Sequence, residues 1–95
     1  MTFNRSTPHG LLKVEGEHIQ IEGMNCFICL VQNYWFVCEL TTGMAVKYLD
    51  DDSKLFIYKE TAISHAAKLI KTLKPDWLES SKEKLKRAGI SWPVN

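Results

Sequence analysis

The sequence predicts an α+β domain, an antiparallel four- or five-stranded β-meander followed by two α-helices packed on one sheet face. Apolar residues alternate with a period of two as far as Tyr58 and recur with a helical period of about 3.5 beyond it. Strands that precede helices in this order typically form one sheet with the helices on one side. At 95 residues and 45% hydrophobic content, the chain has the size and composition of a single compact domain.

The first residues show no apolar periodicity and contain Pro8 and Gly10. Such a segment cannot bury much surface of its own. We therefore expect residues 1–10 to form a flexible N-terminal arm and residues 11–95 to form the single α+β domain.

The segment LLKVEGEHIQIEG predicts the first strands. It places Leu12 and Val14, and then Ile19 and Ile21, at alternating positions. The pattern indicates one or two short strands on either side of a break at Gly16, each with one polar face.

The stretch NCFICLVQNYWFVCEL predicts a β-hairpin whose strands are apolar on both faces. Asparagine tolerates the left-handed region, so a two-residue turn at Gln32-Asn33 is expected and would place Cys38 opposite Phe27. In the same register Cys29 lies opposite Phe36, so no disulfide follows.

Two more turns extend the meander. Gly43 can adopt the positive φ that closes the turn after this hairpin, before alternating apolar residues that end at Tyr48. The acidic segment 50–53 predicts the next turn, and residues 55–58 predict a last strand.

The rest of the chain predicts two helices. An apolar face spanning residues 60–74 indicates the first, and Pro75 favours the start of a second that ends at Ala88 before Gly89. The residues of the first apolar face are Ala62, Ala66, Leu69, Ile70 and Leu73.

No run of the sequence approaches the roughly 20 apolar residues that a membrane span requires, and the N-terminus does not resemble a signal peptide. We expect a cytoplasmic protein without a membrane partner. The three cysteines, an odd number, favour reduced thiols over a disulfide framework.

Those cysteines raise the alternative of a zinc module. Cys26, Cys29 and Cys38 with one histidine would supply the four ligands of a Cys₃His site. A regular strand, however, directs residues 26 and 29 to opposite faces, which favours buried free thiols and no metal. The sequence shows no paired carboxylates, phosphate-binding glycines or nucleophile-base pair, so no catalytic residue and no cofactor are predicted.

The two apolar faces of the sheet predict association. Two helices cover one face, and either the N-terminal segment or another protein must cover the second, because monomers rarely expose large apolar patches. This favours a non-enzymatic protein-binding module, an adaptor or inhibitor that acts as a homodimer. Aromatic residues are common interface anchors, and the predicted ones are Tyr34, Trp35, Phe36 and Tyr48.

The charge distribution gives an alternative. The formal net charge is +1, but lysine and arginine are concentrated in the two helices. Clustered basic residues can bind phosphates, so nucleic acid is the alternative partner. The residues that would bind it are Lys68, Lys71, Lys82, Lys86 and Arg87.

The run WFVCELTTGMAV followed by ETAISHAAKLI resembles a pattern in small phage and prophage accessory proteins, over about residues 35–70. In them a strand ending near Thr-Gly turns back, and a later helix opens with an Ala-Ile pair. Some such proteins inhibit host defence or processing enzymes by binding them. The strand-then-helix order also looks like antitoxin-type folds, and neither resemblance implies a catalytic residue.

Overall fold

The computed structural model describes residues 1–46, 56–73 and 76–95. Within them the chain forms an antiparallel meander in the order β1-β2-β3-β4, followed by two helices. The first helix packs on the sheet against its second and fourth strands, which confirms the predicted α+β architecture with four strands. The elements are β1 (Thr2–Thr7), β2 (Gly10–Ile21), β3 (Met24–Val31), β4 (Tyr34–Glu39), α1 (Lys59–Thr72) and α2 (Trp77–Arg87).

The hairpin between β3 and β4 has the predicted register. Phe27 pairs with Cys38, and Cys29 pairs with Phe36. The two turn residues, Gln32-Asn33, both have positive φ, 51° and 71°, as the tight turns that match strand twist require.

β2 is one continuous strand, whereas the sequence predicted one or two short strands around a break at Gly16. It pairs with β1 as far as Glu15 and with β3 from Gly16 onward. A Cβ at Gly16 would lie 2.6 Å from the carbonyl oxygen of Ile28. The glycine therefore marks a close approach of two backbones where the strand changes partner, and not an interruption of the strand.

A first apolar cluster lies between the sheet and α1. Strand alternation directs every second side chain of β3 and β4 into this cluster, and the small residues of α1 allow the helix to approach the sheet closely. Trp77 at the start of α2 packs against the same cluster. Its buried members are Ile21, Cys26, Ile28, Val37, Val46, Ala62, Ala66 and Leu69.

A second apolar cluster lies on the opposite face, where the hairpin of β1 and β2 folds over β3 and β4. The Phe3 ring stacks on the Phe27 ring, with centroids 4.7 Å apart and planes 6° from parallel. The buried members are Phe3, Val14, Phe27, Cys29 and Cys38. The N-terminal segment itself covers this face, which was the first of the two alternatives that the sequence left open.

The structure corrects the expectation of an arm over residues 1–10, because residues 2–7 form β1. The outer edge of this strand is held by the turn after β4: the Ser6 N–H donates to the Gly43 carbonyl at 2.8 Å. The C-terminus joins the same place, since Asn95 accepts a hydrogen bond from the Asn4 N–H and donates one to the Asn4 carbonyl. Contacts with distant residues therefore order a segment that has little apolar content.

Both helices lie close to their predicted positions. α2 ends in a Schellman motif: the Ile90 N–H donates to the Leu85 carbonyl, and Gly89 has φ 76°. In the described part of the chain no helix has the length and apolar content needed to cross a membrane.

Two strands predicted after β4 are only partly within the described residues. Ala45 forms an isolated antiparallel bridge with Cys38, and Phe56 forms one with Trp35. Tyr48, the turn at 50–53, Leu55 and Pro75 lie outside the described residues.

Candidate functional site

The predicted interface aromatics do not form one surface. Trp35 is half-buried on the helix side of β4, where the Lys59 ammonium lies 5.5 Å from the centroid of its ring. Phe36 lies on the other side, with the Arg5 guanidinium 4.5 Å from its ring centroid. Strand alternation places Tyr34 on the Phe36 side. Tyr48 lies outside the described residues, so Trp35 alone of the four faces the helix side in the part that the structure describes.

Exposed apolar side chains lie next to Trp35 along the sheet and in the segment that precedes α1. Leu30 is its cross-strand partner and is 51% exposed. Ile57 and Tyr58 are 67% and 69% exposed. They lie between Phe56, whose carbonyl accepts a hydrogen bond from the Trp35 N–H, and Lys59, which covers the Trp35 ring. We call Leu30, Trp35, Ile57 and Tyr58 the Trp35 patch.

The Trp35 patch exists because β3 is longer than its pairing with β2. That pairing ends at Cys29 opposite Gly16, so Leu30 has no β2 residue beside it. The sequence pattern placed Leu30 in a strand buried on both sides, whereas the change of partner in β2 leaves it exposed. The sequence feature that could have indicated the exposure of Leu30 is Gly16, because the pairing of β2 with β3 ends at this glycine.

An ion pair borders the Trp35 patch. The Lys59 ammonium lies 2.8 Å from the Glu17 carboxylate, and this contact lowers the pKa of Glu17. Both side chains are solvent-accessible, so the pair contributes little to stability. Its role is to fix the position of Lys59 over the indole ring.

The five predicted phosphate-binding residues are divided among separate places. Lys68 and His65, both on α1, line a groove together with Phe56. Lys71 lies 3.7 Å from the Glu22 carboxylate. Lys82 and Lys86 line a different groove beside α2. Arg87 lies 3.9 Å from Glu83, and Lys82 lies 3.1 Å from Glu79. Three of the five, Lys71, Lys82 and Arg87, therefore have an acidic neighbour.

The α2 groove contains a residue that the sequence did not single out. Trp92 is 45% exposed, and the Lys82 ammonium lies 4.1 Å from its ring centroid. Two glutamates, Glu79 and Glu83, line the same groove as the two lysines. The groove is therefore balanced in charge, which does not favour the release of counterions on which phosphate binding depends.

The sheet separates the three cysteines. Cys26 lies in the cluster beneath α1, whereas Cys29 and Cys38 lie in the cluster beneath the N-terminal hairpin. All three are free thiols, and the described residues contain no group of three or more potential ligands placed to hold a metal ion. A Cys₃His site that uses all three does not fit this arrangement.

The thiols differ in acidity. Burial and the nearby Glu39 carboxylate raise the pKa of Cys26 to about 12. A hydrogen bond from Cys38 and the positive charge of Arg5 lower the pKa of Cys29, although burial opposes them. The hydrogen bond to Cys29 raises the pKa of Cys38. Cys29 therefore has the more acidic thiol of the Cys29 and Cys38 pair.

Comparisons of the chain with protein-family models, with curated proteins and with solved structures find no match.

Proposed function

We propose that this protein is a non-enzymatic binding module, an adaptor or an inhibitor, that contacts a partner protein through the Trp35 patch. The observation that supports the proposal is the exposure of Leu30, Ile57 and Tyr58 around a half-buried tryptophan. Interface hot spots are enriched in aromatic anchors, and the residues around such an anchor exclude water from it. The resemblance to small phage accessory proteins that bind host enzymes agrees with this role.

Two features of the structure support the Trp35 patch over the second sheet face as the contact surface. The second sheet face is covered by the N-terminal hairpin and does not need a partner chain. The Trp35 patch is a better site, because three large apolar side chains expose half or more of their surface there. The partner that fits is a protein presenting apolar side chains of its own, since the Lys59 charge is already matched by Glu17.

The test is site-specific photo-crosslinking in the native host. A benzophenone amino acid replaces Tyr58 in one variant and Lys84, an exposed residue of α2, in the control. We expect a discrete crosslinked protein from position 58 and none from position 84. The additional substitution Leu30→Asp should abolish the crosslink from position 58 while leaving the circular dichroism spectrum unchanged.

The proposal fails if both positions give the same crosslinked products. It also fails if the product from position 58 is insensitive to Leu30→Asp in a protein that remains folded. Either result would mean that the Trp35 patch is not a specific contact surface.

A further inference from the structure

The outer edge of β2 between Gly16 and the turn at Glu22 carries backbone groups that pair with no other described residue. The Gly16 N–H donates to the Met1 carbonyl at 2.9 Å, and the Gly16 carbonyl accepts from the Met1 amino group at 3.2 Å. Alternate residues direct their backbone groups to the same edge. The N–H and C=O of His18 and Gln20 therefore point away from β3, and no backbone group of the described residues pairs with them.

This edge is exposed to solvent. His18 and Gln20 are both exposed. The free run, residues 17–21, reads EHIQI. It contains no proline and no bulge, two features that block an edge strand, and Glu17 is its one acidic residue. Met1 pairs with Gly16 next to one end of the run, and the turn at Glu22 follows the other end.

The free run is complementary to itself in antiparallel pairing. If two copies meet about Ile19, His18 of each lies opposite Gln20 of the other. All four outward groups of each copy are then bonded, because such a pair exchanges both N–H···O bonds. Residue 17 lies opposite residue 21 in this register, so the pairing uses the whole of the free run.

α1 lies beside the same edge. Its first residue, Lys59, contacts Glu17, and Lys71 near its end contacts Glu22, so the helix runs along the second half of β2. A twofold axis normal to the sheet places the two α1 helices side by side on one face. Helical spacing puts Ile63, Ala67 and Ile70 on the same side of α1 as Lys59 and Lys71, and all three are half-buried, as is Ile19 of β2.

The charges agree with the same symmetry. Antiparallel pairing about Ile19 brings Lys71 of the second copy near Glu17, and Lys59 of the second copy near Glu22. Each end of the contact then combines two carboxylates with two ammonium groups. The two carboxylates are therefore balanced by the two ammonium groups at each end, which an antiparallel pairing of two identical strands does not ensure by itself.

We propose that two copies of this chain associate by antiparallel pairing of the outer edges of β2, in register about Ile19. The three-stranded layers of β2, β3 and β4 then become one six-stranded sheet with both α1 helices on the same side. This contact uses none of the four residues of the Trp35 patch and shares with it only the bordering Lys59–Glu17 ion pair, so the two proposals are tested by different substitutions. Because the paired run is short, we expect a dimer that dissociates in the micromolar range.

Sedimentation velocity tests the proposal, with the intact chain measured across about a thousandfold range of concentration, since dimer formation follows mass action. We expect a monomer at the lowest concentration and a dimer at the highest. Gln20→Pro removes one outward N–H without removing a bond to β3, a position that an edge strand tolerates. It should remain monomeric throughout, whereas the control Gln20→Thr, which keeps the N–H, should dimerise like the parent.

Hydrogen exchange of the parent protein tests the same contact without a substitution that could disrupt folding. The amides of His18 and Gln20 should exchange slowly at high concentration and quickly on dilution, while the amide of Ile19, which faces β3, should not change. A parent protein that is monomeric at every concentration overturns the proposal. So does a dimer in which the amides of His18 and Gln20 exchange at the same rate as in the monomer.

Discussion

At the scale of single residues, the cysteine-rich stretch is structural. Strand alternation predicted that Cys26 and Cys29 face opposite sides of the sheet, and the structure confirms it. Each thiol fills space in an apolar cluster, as buried cysteine commonly does. Nearby, the Glu39 carboxylate accepts hydrogen bonds from the backbone and hydroxyl groups of Thr41 and Thr42, which explains how an acidic residue is buried at the end of β4.

The acidity of Cys26 predicts a loss of stability at high pH. Its pKa rises from 9.0 to about 12 on folding, so the folded chain holds this proton more tightly than the unfolded chain. The resulting stabilisation is complete below pH 9 and is lost as the pH rises towards 12, at up to about 1.4 kcal/mol per pH unit. Urea unfolding of Cys26→Ala should therefore show a shallower decline than that of the parent over this interval. Parallel curves would contradict the assignment.

At the scale of elements, local patterns determined most of the secondary structure. The turn at Gln32-Asn33, the strands on either side of it and the end of α2 at Gly89 follow from residue type and spacing. β1 could not be predicted in this way, because Phe3 is its one large apolar residue. Its stability comes from Phe27 and from the turn at Gly43, which are distant in sequence.

The candidate surfaces were harder to predict for the same reason. Trp35 was identified from its type, but the exposure of Leu30 depends on where β2 leaves β3. Likewise, the open edge at residues 17–21 depends on where β1 begins to pair. Neither feature is encoded in the periodicity of the strand that carries it, since each results from pairing between segments.

Gly43 provides a test of how β1 is held. Its φ is 67°, and a Cβ there would lie 2.5 Å from the Asn4 carbonyl oxygen and 3.0 Å from the Ser6 nitrogen. Gly89 has a similar φ of 76°, but a Cβ there would meet nothing within 4 Å. Gly89→Ala should cost about 1 kcal/mol of unfolding free energy from backbone strain alone.

For Gly43→Ala we expect a further loss of about 2 kcal/mol, because β1 must move away from the turn. Chemical denaturation measures both values, and faster hydrogen exchange of the β1 amides should accompany the larger one. Equal losses in the two variants would show that the close approach of Asn4 to Gly43 does not support β1.

At the scale of the whole molecule, the last residues of the chain lie between β1 and the turn after β4. The Val94 N–H donates to the Thr41 carbonyl at 2.8 Å, and the Asn4 side chain donates to the Val94 carbonyl at 2.7 Å. The Asn95 side chain donates to the Leu40 carbonyl at 2.7 Å. The last two residues therefore connect β1 to the turn that follows β4.

Removal of Val94 and Asn95 should consequently destabilise the entire fold. The loss of buried Val94 and of its hydrogen bonds corresponds to about 2–4 kcal/mol. We expect a lower midpoint of denaturation with an unchanged slope, whereas Asn95→Ala, which keeps Val94, should have the smaller effect. A truncated chain as stable as the parent would mean that the C-terminus does not contribute to holding β1.

The change of partner at Gly16 has a consequence for insertions and deletions. Val14 of β2 is buried in the second apolar cluster, and Ile21 is buried in the first cluster on the opposite face. The two residues are an odd number of positions apart, so uninterrupted strand alternation through Gly16 directs them to opposite faces. Adding or removing a single residue between them would direct both side chains to the same face and deprive one cluster of its β2 side chain, so the length of β2 is as constrained as its composition.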